Sequence, residues 1–323
     1  MNKSRILVTG GAGFIGSHLV DSLMATGSRV CVLDNLSAGN LANLKQWQNN
    51  TDFSFLHIDL TKPLDTLSGE QFDVIYHLAA NPEVRVSSTN PETHYNQNIT
   101  ATFNLIEYIR KSGTTPRLVF TSTSAIYGEP TEIPTPETYA PLKPISVYAA
   151  TKLASEALIS AYAYNYGFKA TIYRLANVIG PRSGHGVIYD FIQKLRKTPN
   201  QLEILGDGSQ TKSYLHVTDC ITALLQNQEA LSEQVEIFNV GSEDKINVKT
   251  IAEAVVAAMG LTNVDLKLTG GVDGGRGWIG DVKIMLLNAD KIKLTGWTPK
   301  LNSQQAVTQT ARALAQNIPN KFA

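Results

Sequence analysis

Tyr148 and Lys152 lie four residues apart, as Tyr-x-x-x-Lys, at the start of a stretch with helical periodicity. Four residues is about one helical turn, so both side chains reach one ligand from one face. An ammonium beside a phenol favours the phenolate and lowers its pKa from ~10 toward working pH. A phenol so tuned takes a hydroxyl proton while a hydride leaves the same carbon. The chain has 12 tyrosines, so the spacing alone says little, and a core Tyr near a solvated Lys is the alternative. A run of hydroxyls, Thr121-Ser122-Thr123-Ser124, adds to it from the carboxyl end of an apolar strand. One of them can bond the reacting oxygen and share its proton; the alternative is a loop that caps its own backbone.

A hydride needs an acceptor. The segment Thr9-Gly10-Gly11-Ala12-Gly13-Phe14-Ile15-Gly16 follows the first apolar run and opens a helix. Gly10 allows a tight turn, and Gly13 lets backbone approach a pyrophosphate at the helix N-terminus. Gly16 lets the helix pack close to a sheet. The spacing is G-x-x-G-x-x-G, and its strand–turn–helix context points to a dinucleotide. Asp34 ends the second apolar run, within the ~20-residue interval at which an acid meets the adenine ribose hydroxyls. Its charge repels a 2′-phosphate and so favours NAD over NADP. The alternative is that Asp34 merely starts a turn with Asn35.

These groups need a scaffold, and the hydrophobic pattern supplies one. Strands are expected at 6–9, 29–33, 53–57, 74–77, 118–121 and 170–174, and helices at 14–25, 99–110 and 148–166. Continuous apolar strands separated by helices give a parallel sheet covered on both faces. The expected class is α/β, a doubly wound parallel sheet (Rossmann) with a smaller C-terminal α/β substrate lobe. The NAD-binding domain is expected over 1–175, with a strand at 235–240 returning to its sheet. The substrate lobe is expected mainly over 176–323, where Gly and Pro increase and the elements read as irregular.

Composition excludes several classes. Lys+Arg and Asp+Glu both number 28, so no broad basic field draws nucleic acid or a membrane surface. Two distant cysteines, Cys31 and Cys220, make neither a disulfide framework nor a metal cluster, and the six histidines show no metal spacing. His185, between two glycines, is the one placed near the expected nucleotide loop. No signal peptide and no ~18-residue apolar span is seen. The expectation is a cytoplasmic, metal-free enzyme.

The ordered motifs TGGAGFIG (9–16), DN (34–35), DL (59–60), HLAA (77–80), Asn98, STSAIYG (122–128) and YAATK (148–152) carry a resemblance. RLAN (174–177), GDGSQTKSYLHV (206–217) and GRGWIGDV (275–282) continue it. Together they resemble the extended short-chain dehydrogenase/reductase family, and within it the nucleotide-sugar epimerases, in particular UDP-glucose (UDP-galactose) 4-epimerases. The resemblance implies tightly bound NAD, a nucleotide-sugar substrate and a homodimer. It implies Tyr148 as base and acid, Lys152 as its partner, and Thr123, with Ser124 as substitute, on the reacting oxygen. Gly10, Gly13, Phe14, Ile15, Asp34, Asn35, Asp59, Leu60, Leu78, Ala79, Ala80 and Asn98 become cofactor contacts, along with Tyr148 and Lys152. Asn177, Val187, Ile188, Lys212, Tyr214 and Arg276 join Thr123 as substrate contacts, with Lys212 and Arg276 on the diphosphate.

Departures refine this. Relatives often carry Arg where Lys212 stands, so a point charge replaces a bidentate fork. Pro82 falls near a position that often holds a cofactor-reaching Lys, and Met285 near one whose size governs N-acetylated sugars. Dehydratases usually place Asp-Glu directly after the Ser/Thr, and decarboxylases a Glu at the second position. Here Ser124 and Ala125 stand there, which leaves oxidation and re-reduction of one carbon. Another nucleotide-sugar reaction, or a nucleotide sensor without chemistry, remains the alternative.

Overall fold

The computed structural model describes residues 3–226 and 233–317. Seven apolar runs become strands: β1 Arg5–Thr9, β2 Arg29–Asp34, β3 Phe53–His57, β4 Val74–His77, β5 Arg117–Thr123, β6 Ala170–Leu175 and β7 Val235–Val240. They form one parallel sheet in the order β7-β6-β5-β4-β1-β2-β3. Every residue of β6 is buried, as both-face coverage requires. The order turns back between β1 and β4, and this opens a crevice at the carboxyl ends of the strands. The segments that follow those two strands, from Gly10 and from Leu78, both start there.

Helices α1 Phe14–Ala25, α2 Pro91–His94, α3 Ala101–Ser112 and α4 Val147–Tyr166 belong to the same half of the fold. The helix expected over 99–110 is α3, shifted by two residues, and it is preceded by helical turns that the pattern did not give. Pro91 opens α2 at its first turn, a π-helical turn spans Tyr95–Thr100, and only then does α3 run. Gly113, in the left-handed region at φ 67°, ends α3. The core packs Leu7, Ile75, Leu105, Leu118, Ile159 and Ile172 out of water.

The chain divides into two compact units. One takes the described residues within 1–126, 147–174 and 224–238; the other takes those within 127–146, 175–223 and 239–323. The second unit is more regular than its glycine content suggests. Helix α5, Val187–Lys197, buries Ile188, Phe191, Ile192 and Leu195 on one stripe. Helices α6, Val248–Ala258, and α7, Ser303–Asn317, bury Ile251, Val255, Ala306, Val307 and Leu314 in the same core. The glycines fall in the connections and leave these helices whole. A small sheet joins Thr211–Lys212 to Ile246–Asn247 and Ile284–Met285. Among the described residues no helix is long and apolar enough to cross a membrane.

Candidate active site

The glycine loop is built for close approach. Gly10 has φ +71°, and a Cβ there would lie 2.7 Å from the Ala79 nitrogen. A Cβ on Gly16 would lie 2.1 Å from the Gly10 carbonyl oxygen, so α1 could not reach the turn. Gly13 caps α1 without a side chain, and no acid occupies the first turn, where Phe14 and Ile15 stand half-buried. The free N–H groups and the dipole there suit a phosphate. Asp34 accepts from the Ala12 N–H at 3.0 Å and the Leu36 N–H at 2.8 Å, which fixes its carboxylate beside the loop. These residues suit a dinucleotide.

His77 ties the loop to its neighbours. Its Nδ1 lies 2.8 Å from the Thr9 hydroxyl and its Nε2 3.0 Å from the Thr102 hydroxyl. Thr102 donates its own hydrogen to the Asn98 carbonyl at 2.6 Å. The His77 Nε2 therefore carries the proton, and Nδ1 accepts from Thr9. Full burial drives His77 down to about 3, so it is neutral at working pH.

Helix α4 presents the chemical pair. Its first turn is docked by a distant hydroxyl, since the Tyr148 N–H donates to Ser87 Oγ at 3.1 Å. The Tyr148 ring also lies 5.7 Å from the buried His94 ring. Thr123 is within hydrogen-bonding reach of the Tyr148 phenol. The expected phenol pKa near working pH is corrected for the protein alone. Burial pushes the phenol above its ordinary value and outweighs the Thr123 hydrogen bond. Lys152 is 3% exposed, and burial brings its ammonium down to about 7, with Glu156 opposing. Glu156 in turn meets Arg174 in a buried ion pair at 2.8 Å.

Other expected cofactor contacts divide by what their side chains already do. Leu78, Ala79 and Ala80 are half-buried after β4. Asn35 accepts from Ser37, and Asp59 from the Thr61 N–H, as turn-formers. Leu60 faces the core. The Asn98 amide is spent within the protein, accepting from the Asn81 N–H at 2.8 Å and donating to Thr151 at 2.9 Å. Ser124 starts the short 3-10 turn after β5.

The second unit gathers Lys212, Arg276 and Asp281. Lys212 Nζ lies 2.6 Å from the buried Asp281 carboxylate and 5.6 Å from the Trp278 ring centroid. Arg276 pairs with Glu129 through both terminal nitrogens, the second at 2.7 Å. Its Nε donates to Asp273 at 3.1 Å, and another bond reaches the Asp281 carbonyl at 2.9 Å. Glu129 is held below the usual carboxylate range by that guanidinium. Asn177 donates to the Ser213 carbonyl at 3.1 Å. Tyr214 and Ile188 face the core, while Val187 opens α5 at its edge and His185 is exposed. Among the described residues no His, Cys, Asp and Glu cluster could hold a metal.

Sequence reasoning did not single out Ser87, His94, Phe120, Glu129 or Asp281. Asp281 lay within a quoted motif, GRGWIGDV, but nothing in the sequence paired it with Lys212.

Known proteins share this fold. A solved UDP-galactose 4-epimerase is 44% identical, with TM-score 0.86 and coverage of 98% of this chain and 100% of that one. A Methanocaldococcus jannaschii protein, provisionally named as a UDP-glucose 4-epimerase, is 33% identical over 97% of this chain and 99% of its own length. An Arabidopsis thaliana protein, UDP-glucuronic acid decarboxylase 4, is 36% identical over 78% of this chain and 56% of its own length. The model of the NAD dependent epimerase/dehydratase family matches residues 6–241. Matched from its first sheet strand through its last, the chain belongs to the NAD dependent epimerase/dehydratase family, with NAD as its cofactor.

Proposed function

We propose that this enzyme interconverts nucleotide-diphosphate sugars that differ at C4, with UDP-glucose and UDP-galactose as its pair. The observation that carries this is a complete Thr123–Tyr148–Lys152 set followed at 124–125 by Ser and Ala. Elimination of water needs an acid and a base beyond that set, and neither position supplies one.

Tyr148 takes the C4 hydroxyl proton, Thr123 holds the C4 oxygen, and Lys152 stabilises the phenolate. NAD, when bound, supplies the hydride acceptor and a positive ring that adds to the pull of Lys152. Lys212, Arg276 and Asn177 hold the diphosphate while the keto sugar turns, and Tyr148 then returns its proton with the opposite face presented. In this reading the first unit binds NAD, the second binds the nucleotide sugar, and the cycle is redox-neutral. A homodimer is part of it, through the exposed aromatics Tyr95 and Phe103 on the π-helical turn and α3 and Tyr164 on α4. Light scattering of the purified protein tests that part.

A second reading is decarboxylation of a uronic sugar, which the likeness to the Arabidopsis decarboxylase favours. The test is incubation of purified protein with a panel of nucleotide sugars, without added NAD, followed by proton NMR. Formation of UDP-galactose from UDP-glucose, lost in Tyr148→Phe, supports the proposal. Release of carbon dioxide from UDP-glucuronic acid, with UDP-glucose untouched, replaces it with the second reading.

A further inference from the structure

Lys152 is a buried cation without a close anion. Among the described residues it makes no ion pair within 4.0 Å, and the one carboxylate acting on it, Glu156, is claimed by Arg174. What touches the ammonium is an aromatic face. Lys152 Nζ lies 4.0 Å from the Phe120 ring centroid. Beside it, on the neighbouring strand, the His77 ring packs against Phe120 with centroids 5.5 Å apart and planes tilted by 31°. Phe120 is 1% exposed and His77 fully buried, so this contact excludes water.

The chemistry of the contact is specific. A ring face is negative and its edge positive, so a cation gains most above the centroid. The gain is largest where water is absent. An aliphatic side chain of similar bulk would bury Lys152 equally and offer no such field. The neighbouring imidazole suits this only while neutral, because an imidazolium there would repel the ammonium. The Thr9 and Thr102 hydroxyls hold His77 in its neutral, Nε2-protonated form.

We infer that Phe120, flanked by neutral His77, is a positioning residue that holds the Lys152 ammonium in place and in its charged form. The inference rests on the assignment of Lys152 as the partner of Tyr148. The charged and titratable groups facing Lys152 are Tyr148 and Glu156 on its own helix, His77 on β4, and Arg174 on β6 behind Glu156.

The test replaces Phe120 with successively fluorinated phenylalanines, which keep ring shape and drain the negative face. The readout is titration of the Lys152 ammonium by carbon NMR in lysine-labelled protein, its signal assigned by its loss in Lys152→Met. Expected is a stepwise fall of the midpoint, reaching about one pH unit for the most fluorinated ring. Phe120→Leu is expected to match that end point, and the basic limb of the kcat–pH profile to move down alongside. A midpoint unchanged across the fluorinated series overturns the inference, whatever the activity. A midpoint that falls in a protein that turns over no nucleotide sugar upholds the contact and removes the proposed reaction instead.

Discussion

Lys152 and Arg276 are both cations at positions expected to meet a ligand, and their surroundings are opposites. Around Lys152 the protein offers a ring face and, nearby, a neutral imidazole, with its carboxylate already paired elsewhere. Around Arg276 it offers Glu129, Asp273 and the Asp281 carbonyl, so nearly every donor is taken. The first cation is poised: burial holds it at the edge of losing its proton, where a small field matters to a neighbour's ionisation. The second is compensated: a diphosphate arriving there exchanges one anion for another. Chemistry needs the first kind of environment. Grip that must also let go is served by the second.

The largest effect expected to sharpen this comparison comes from Tyr148→Phe. It deletes one hydroxyl, and kcat should fall about 1000-fold with KM and thermal stability nearly unchanged. Steady-state kinetics beside a melting curve check it; residual turnover within tenfold of wild type would move the chemistry elsewhere. Arg276→Ala should behave in the opposite sense. KM should rise about 10- to 100-fold, the worth of a charge-assisted hydrogen bond, while kcat stays within a few-fold. Equal loss in kcat would place Arg276 with the chemical groups and erase the contrast.

Lys152→Met separates function from stability. The Lys152 ammonium titrates at about 7 in the folded protein against an ordinary 10.5. Between those values the unfolded chain binds the extra proton, so wild-type stability rises with pH across that window. Below about pH 7 the burden of the buried charge is complete. The ligand-free variant should therefore melt higher than wild type at pH 7, and the gap should close toward pH 10.5. A variant that melts lower at every pH would mean that Lys152 packs more than it strains. The smallest effect belongs to Glu129→Gln. It frees the Arg276 fork from a half-exposed carboxylate, and KM should fall only about threefold, since such pairs are screened. An increase in KM would show that Glu129 orients Arg276 more than it competes for it.

The hydrophobic pattern located the seven sheet strands and helices α1 and α4 to within about two residues, because each is long enough to show its period. The π-helical turn at Tyr95–Thr100 left no such trace. It centres on Asn98, whose amide bonds to Asn81 and Thr151 and whose carbonyl takes the Ser155 hydroxyl, all tertiary contacts, besides that of Thr102 one turn along. Tyr148, Lys152 and Thr123 were legible because motif and order agree. Their ionisation was not: proximity of Lys to Tyr suggests a lowered phenol pKa, while depth of burial, invisible in sequence, raises it. Lys212 and Arg276 were legible as cations but not as paired ones, since Asp281 lies 69 residues from Lys212 and Glu129 lies 147 from Arg276.

Strand β7 has a consequence for synthesis. It joins the sheet beside β6, yet β6 ends at Leu175 and β7 begins only at Val235. A nascent chain thus makes six strands and must then wait, with one flank of a wholly buried strand unpaired, while the intervening residues are translated. At about 5–20 residues per second, that wait lasts seconds. An open apolar edge of this kind recruits other strands. Holdase chaperones that bind this protein on the ribosome should therefore engage it between the emergence of β6 and that of β7, and ribosome profiling of chaperone-bound nascent chains would show their release soon after Val240 leaves the exit tunnel.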